Sequence, residues 1–292
     1  MSRARFAFLL TCLAIVPGVA GAQVVGPGAC TGTLSCRDNS GWIGRGSCNE
    51  GNACLENGRR ISNLACNGTL ACLRNLRNIA PRSCNENQAC ADNEGMIDRS
   101  SCNASQSCSG NQGRIGRNSC NQDQACAGNE GRIGGDACFT EQGCGSNTGT
   151  IGTGACKCLV GCDPFGRVCY GNTGTIGRGA CIGGLSCGNN TGHIDADACD
   201  GFNGCGDNQG SIGYGACVGL AACNANEGKI APLSCEGAQT CVGNRGEIGR
   251  GACIGHNSCR FNAGTIGAGQ CIGDGVCNDN LGASVLVRPQ RG

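Results

Sequence analysis

The spacing of the cysteines constrains the fold of this chain more than any other feature. From Cys30 onward they follow at alternating intervals of 6 and 12 residues, as Cys30, Cys36, Cys48 and Cys54. The rhythm is interrupted near Cys158 and then continues to Cys277. The sum of the two intervals is a period of 18 residues, and a fixed period of this length is typical of solenoid proteins.

Other residues follow the same period. Asn stands three places after the second cysteine of every coil, from Asn39 to Asn280, and Ile stands seven places after it from Ile43 to Ile266, with Val25 in that place before the first coil. Eighteen residues are too few for a pair of packed helices, and Gly and Asn suit tight corners. The pattern predicts an all-β fold, a single β-solenoid (parallel β-helix) of about fourteen 18-residue coils with disulfides inside each coil.

The recurring Asn has two structural interpretations. Residues that recur every 18 positions stack into a column along a solenoid, and stacked side-chain amides can form a hydrogen-bonded ladder. Alternatively, each Asn can occupy a left-handed corner, a conformation that it tolerates better than most residues. The sequence leaves both open.

The composition agrees with a disulfide scaffold. The 292 residues include 31 Cys but only one Trp, two Tyr and six Phe, too few aromatic side chains for the core of an ordinary domain of this length. Dense cysteine is typical of oxidising compartments. Because 22 basic residues nearly balance 21 acidic ones, charge gives no reason to expect nucleic acid as a partner. We expect no cofactor, no metal and no transmembrane segment.

The N-terminus predicts secretion. Arg3 and Arg5 precede a short apolar run, and Ala20-Gly21-Ala22 resembles a cleavage site, so we place a signal peptide at 1–22. The solenoid is predicted over 23–283, with an insertion in the coil at 156–169, and 284–292 form a C-terminal tail or cap. Localisation is expected to be secreted or at the cell surface.

We predict that cysteines pair within a coil, since five intervening residues can round a corner and bring two inward side chains together. Pairing between neighbouring coils is the alternative, and spacing alone does not decide connectivity. The predicted pairs are Cys30 with Cys36, Cys48 with Cys54, Cys66 with Cys72, Cys84 with Cys90, Cys102 with Cys108, Cys120 with Cys126, Cys138 with Cys144, Cys156 with Cys169, Cys158 with Cys162, Cys181 with Cys187, Cys199 with Cys205, Cys217 with Cys223, Cys235 with Cys241, Cys253 with Cys259 and Cys271 with Cys277.

The interrupted coil has seven additional residues, because Cys156 and Cys169 are 13 positions apart where other pairs are 6 apart. We favour an insertion tolerated outside the core, because loop length costs little. If the loop has a function, Phe165, Arg167 and Tyr170 are the candidate contact residues.

Two groups of charged residues are candidate sites. His193, Asp195 and Asp197 are clustered and alternate along one segment; we interpret them as surface residues and predict no catalytic residue. Five arginines recur two places after Ile, which is too sparse for a continuous anion-binding track, so we interpret them as a solvated edge: Arg45, Arg99, Arg117, Arg178 and Arg250.

The C-x5-C spacing resembles that of the insect disulfide-laddered antifreeze solenoids. That resemblance implies ice binding through a flat Thr-x-Thr face. Here the motif occurs only as Thr148/Thr150 and Thr173/Thr175, and charged residues such as Glu130 occupy the same columns elsewhere.

We therefore expect a secreted, non-enzymatic structural or adhesive repeat protein that presents a rigid surface. Ice binding is one alternative, and a carbohydrate-binding module or carbohydrate-active β-helix enzyme is another. Expected partners are extracellular matrix, a glycan or further copies of the chain.

Overall fold

The computed structural model describes residues 24–158 and 166–282, and they form a single parallel β-solenoid. Ten two-residue strands lie side by side in chain order, each paired with the strand one coil away. They are β1 Met96–Ile97, β2 Arg114–Ile115, β3 Arg132–Ile133, β4 Thr150–Ile151, β5 Thr175–Ile176, β6 His193–Ile194, β7 Ser211–Ile212, β8 Lys229–Ile230, β9 Glu247–Ile248 and β10 Thr265–Ile266. The predicted fold class is confirmed.

The regular sheet covers about nine turns, fewer than the fourteen coils predicted from the cysteines. On the N-terminal side of β1, the isoleucine column continues through single-residue bridges that join Val25, Ile43, Ile61, Ile79 and Ile97. The first coils therefore stack in the same register, but they lack the second residue pair that makes a strand.

The residue before each strand explains this difference. It is Gly in all ten stranded coils, and a Cβ at Gly95 or Gly113 would lie only 2.0 or 1.9 Å from the carbonyl oxygen of the next coil. Without that Cβ the backbones approach, and the amide of Met96 donates to the carbonyl of Gly113 at 2.9 Å. In the early coils this position is Gly41, Arg59 and Arg77, so two successive coils with Gly first occur at Gly95 and Gly113. The amide of Arg60 donates to a side chain of the next coil instead.

Substitution of Gly131 by Ala tests this close approach. The added Cβ would meet the Gly149 carbonyl oxygen at 2.1 Å, so we expect the unfolding free energy to fall by about 2 kcal/mol or more. Guanidinium denaturation of the oxidised protein measures the change. The control is Gly58→Ala, whose new Cβ has no neighbour closer than 3.7 Å. Equal destabilisation by the two substitutions would contradict the explanation.

The corners of each coil are left-handed residues, and most of them are not Gly. In the coil that starts at Ile115, positive φ angles occur at Asn118, Cys120, Gln124 and Gly128, with values from 51 to 66°. Non-Gly residues reach this region at a cost. Because the first cysteine of each described pair has a positive φ, from Cys30 to Cys271, the disulfide begins at a corner and fastens it.

The core is a set of columns rather than a conventional cluster of large side chains. Twelve isoleucines are the largest fully buried side chains, and the disulfide sulfurs and small Ala or Ser residues fill the remaining interior. The absence of bulky residues from these columns lets opposite walls of the coil approach closely. The hydrophobic core is therefore thin, and the stability of the fold depends on the disulfides and on hydrogen bonds between coils.

The two halves of the rod have different coils. Up to Asn121, the residue after the first cysteine is usually Asn, whose Oδ1 accepts from the backbone N–H of the preceding coil, as between Asn49 and Asn67. From Lys157 onward this position forms backbone bridges instead, through Ile182 to Ile272. The coils from Cys181 onward have Gly two places after the first cysteine, with φ of 132 to 141°. The interrupted coil lies where one type gives way to the other.

Candidate functional site

The disulfides form a ladder along the interior. Within the described residues the structure joins fourteen pairs, each inside one coil, with Cα atoms 5.6 to 5.9 Å apart. Thirteen of them link residues six apart, and Cys156–Cys169 spans the insertion. Cys158 is also disulfide-bonded, while Cys162, its predicted partner, lies outside the described residues.

Sulfur atoms of successive coils lie close together. In four places, three sulfurs are all within 4.8 Å of one another, among them those of Cys120, Cys126 and Cys138. A metal site would need thiolates, but each of these sulfurs is held in a disulfide in the structure. The arrangement is better suited to exchange between neighbouring disulfides than to metal binding.

Removal of one cysteine tests this proximity. In Cys120→Ala, the thiol of Cys126 is left within reach of the Cys138–Cys144 disulfide, and thiolates attack neighbouring disulfides. We expect the unpaired thiol to be distributed over several coils, as mapped by alkylation in denaturant and mass spectrometry. The double variant Cys120→Ala/Cys126→Ala is the control and should retain the native pairs elsewhere. A thiol found only at Cys126 would contradict the prediction.

The recurring asparagines form a hydrogen-bonded ladder. Each Nδ2 donates to the Oδ1 of the Asn one coil earlier, at 2.6 to 2.9 Å, without a break from Asn39 to Asn280. Each Nδ2 from Asn39 to Asn262 also donates to the carbonyl two residues later, as from Asn129 to Gly131. None of these asparagines has a positive φ, so the ladder interpretation is correct and the corner interpretation is wrong.

A shorter glutamine ladder, which sequence analysis missed, runs along the outside. Gln88, Gln106, Gln124 and Gln142 are joined by Nε2–Oε1 hydrogen bonds of 2.9 to 3.0 Å. Its signal in the sequence is Gln four places after the first cysteine in four successive coils.

The described part of the insertion packs on the end of this glutamine ladder. Arg167 Nε donates to Gln142 Oε1 at 3.2 Å, and its guanidinium lies 5.4 Å from the centre of the Tyr170 ring. Tyr170 rests beside Gly145, where a Cβ would be 3.1 Å from the ring. Of the predicted contact residues, Arg167 and Tyr170 therefore lie together on the rod, and Phe165 lies outside the described residues.

The cluster around His193 is not a closed site. His193, Asp195 and Asp197 are all exposed, and Asp195 Oδ1 accepts from the adjacent amide of Ala196 at 2.7 Å. Asp197 has a φ of 53°, so it stands at a corner and the alternation expected for an extended segment ends before it. The three side chains are therefore open to solvent and do not form an enclosed pocket.

Charged side chains pair between coils at several exposed places. Arg74 lies against Asp92 of the next coil, and this side-chain hydrogen bond raises the pKa of Arg74. Arg245 and Glu227 lie 3.4 Å apart. Such exposed pairs contribute little to stability.

The structure brings additional arginines beside the sequence-predicted arginine column. Arg60 and Arg77 precede Ile in the chain, and Arg82 follows it by three places, yet all lie near Arg99 and Arg117 on one side of the rod. A single column of the repeat does not reveal this grouping, because the arginines come from several columns. Laying the 18-residue coils beneath one another and reading adjacent columns together would have found it.

The comparisons identify the chain through its repeats. A single family model matches three overlapping segments, 14–107, 60–164 and 158–276. No curated protein and no solved structure matches the chain significantly. No helix among the described residues is both long and apolar enough to cross a bilayer. Because the matches together cover most of its length, the chain belongs to the family described as Domain of unknown function (DUF7640).

Proposed function

We propose that the protein is a secreted, non-enzymatic rod that presents a stiff surface for adhesion or for an extracellular matrix. The main support for this proposal is that the interior columns are continuous. The asparagine ladder and the isoleucine column run from one end of the described chain to the other. The side chains in these columns therefore stabilise the stacking of each coil on the next. Disulfide density agrees with an oxidising, extracellular location.

The outer surface supports display rather than turnover. Two grooves, of about 640 and 590 Å³, are open and lie on the outside of the coils. Stacked-repeat proteins use extended surfaces for binding.

Small-angle scattering and electron microscopy of the oxidised protein test the rod. Coils spaced by about 4.8 Å give a particle roughly 60 to 70 Å long, and its length should not change between low and high salt. A compact or variably bent particle would contradict the proposal. Turnover of a polysaccharide that is lost in Asp195→Asn or Asp197→Asn would overturn its non-enzymatic part.

Ice binding is retained as a second candidate because of one observation. Thr150 and Thr175 are directly paired in neighbouring coils, so one threonine of each Thr-x-Thr motif lies beside that of the other. Arg132 and His193 flank this pair in the same column. A thermal-hysteresis measurement decides between the candidates: activity that disappears in Thr150→Lys/Thr175→Lys would favour ice binding.

A further inference from the structure

Seven exposed arginines line three adjoining grooves on the N-terminal half of the rod. The first groove has a volume of about 640 Å³ and shares Pro81, Arg99 and Arg117 with the second. The second shares Ala80, Pro81 and Asp98 with the third. We call this continuous surface the arginine face; its arginines are Arg60, Arg77, Arg82, Arg99, Arg114, Arg117 and Arg132.

The arginines of the arginine face outnumber the carboxylates that line the same grooves. The grooves are lined by only two carboxylates, of which Asp98 lies 3.6 Å from Arg114 and Asp136 accepts a hydrogen bond from Asn118. Among the described residues, Arg82, Arg99, Arg117 and Arg132 form no ion pair with any carboxylate. By contrast, 166–282 contain six basic and nine acidic residues. Over 24–158 twelve basic and eleven acidic residues nearly balance, so the excess of positive charge is local to the arginine face and does not extend over the whole N-terminal half.

The shape of this surface fits an extended anionic chain. The arginines belong to five successive coils, which are about 4.8 Å apart, and the open grooves continue from coil to coil. A guanidinium binds sulfate or carboxylate groups through paired hydrogen bonds. Because the backbone beneath is held by coil-to-coil hydrogen bonds, as at Arg114 and Gly131, binding would require little ordering of the protein.

We propose that the arginine face binds a linear polysaccharide that has sulfate or carboxylate groups. The inference rests on the proposed function of the rod as an extracellular surface and adds the class of partner. None of the residues that line the three grooves is aromatic, and the neighbouring Trp42 ring already lies under the Arg60 guanidinium at 4.3 Å, whereas binding of single-stranded nucleic acid relies on aromatic rings that stack on bases. This difference favours a polysaccharide.

Each substitution in the test introduces a residue that already occurs at the equivalent position of another coil. Arg82→Asn introduces the residue found at Asn118, where φ is also positive, and Arg99→Thr and Arg117→Thr introduce the residue found at Thr153. The triple variant removes three charges from the arginine face. The control variant, Arg178→Thr/Arg245→Gln/Arg250→Thr, removes three charges from the C-terminal half.

Binding of full-length oxidised protein to heparin and to polygalacturonate is measured by calorimetry at low and high salt, with neutral dextran as the uncharged probe. We expect binding that weakens with salt and falls at least about tenfold in the triple variant, with the control variant within about twofold of the native protein. Dextran should not bind.

Three results would overturn the inference: no binding of either anionic polysaccharide at low salt, equal losses in the two variants, or tighter binding of a single-stranded DNA oligonucleotide. Scattering on the same samples separates this inference from the proposed function. If the native protein is an intact rod that binds neither anionic polysaccharide, only the proposed binding at the arginine face is wrong. If the native protein is not a rod, the proposed function itself is contradicted.

Discussion

Reduction of the disulfides is expected to unfold the rod completely. Fourteen links lie within the described residues, and each short loop contributes about 2 kcal/mol in the chain-entropy model. Their combined contribution exceeds the roughly 5–15 kcal/mol by which ordinary domains are stable. The loss is large because no aromatic core remains to replace it.

The experiment must expose the disulfides first, since nearly all of the paired cysteines are fully buried. The protein is reduced in guanidinium, the denaturant is removed with reductant still present and air excluded, and circular dichroism is recorded. A parallel sample passes through the same steps without reductant and should regain its spectrum. A native spectrum in the fully reduced sample would show that hydrogen bonds and isoleucines suffice.

A break in the asparagine ladder is expected to have the second-largest effect. Asn129 is fully buried; it donates to Asn111 Oδ1 at 2.8 Å and to the Gly131 carbonyl at 3.1 Å, and it accepts from Asn147 at 2.8 Å. Asn129→Ala removes all three bonds and leaves Asn111 Oδ1 buried without its donor. We expect a loss of roughly 3 to 5 kcal/mol, because an unpaired buried polar group costs more than an ordinary hydrogen bond contributes.

The loss of stability in Asn129→Ala is also expected to be confined to the neighbouring coils. Each coil of a solenoid contacts only its neighbours, so hydrogen exchange should accelerate about 100-fold or more in the coils around Ile115 and Ile133 and remain unchanged near Ile248. Asn87→Ala is the control, because Asn87 is exposed and outside the ladder. Uniform acceleration along the rod, or an equal effect of the control, would contradict the ladder's proposed contribution.

The fold could be predicted from the sequence to the level of the coil. A residue that recurs every 18 positions must stack on itself, so the repeat alone placed Ile43 to Ile266 in one column. Chain geometry made pairing within a coil the better choice, because a separation of six residues is short enough to close around a corner. The sequence could not predict where the regular sheet begins, because that depends on whether Gly95 or Arg77 stands against the backbone of the next coil.

The arrangement of residues on the surface was less predictable from the sequence. Periodicity states which residues share a column but not which columns lie side by side, since the path of the chain around a corner sets that order. Arg82 and Arg99 differ in their distance from Ile, and only the folded coil places them on the same groove.

The sequence by itself therefore determined the stacked β architecture, the period and the covalent spacing, because these follow from self-similarity along the chain. The tertiary structure alone decided that the asparagines bond to one another rather than form corners, and that arginines from different columns meet on one face. Both depend on backbone conformation within a coil, as with the positive φ of Arg82, and an 18-residue repeat is compatible with more than one such path.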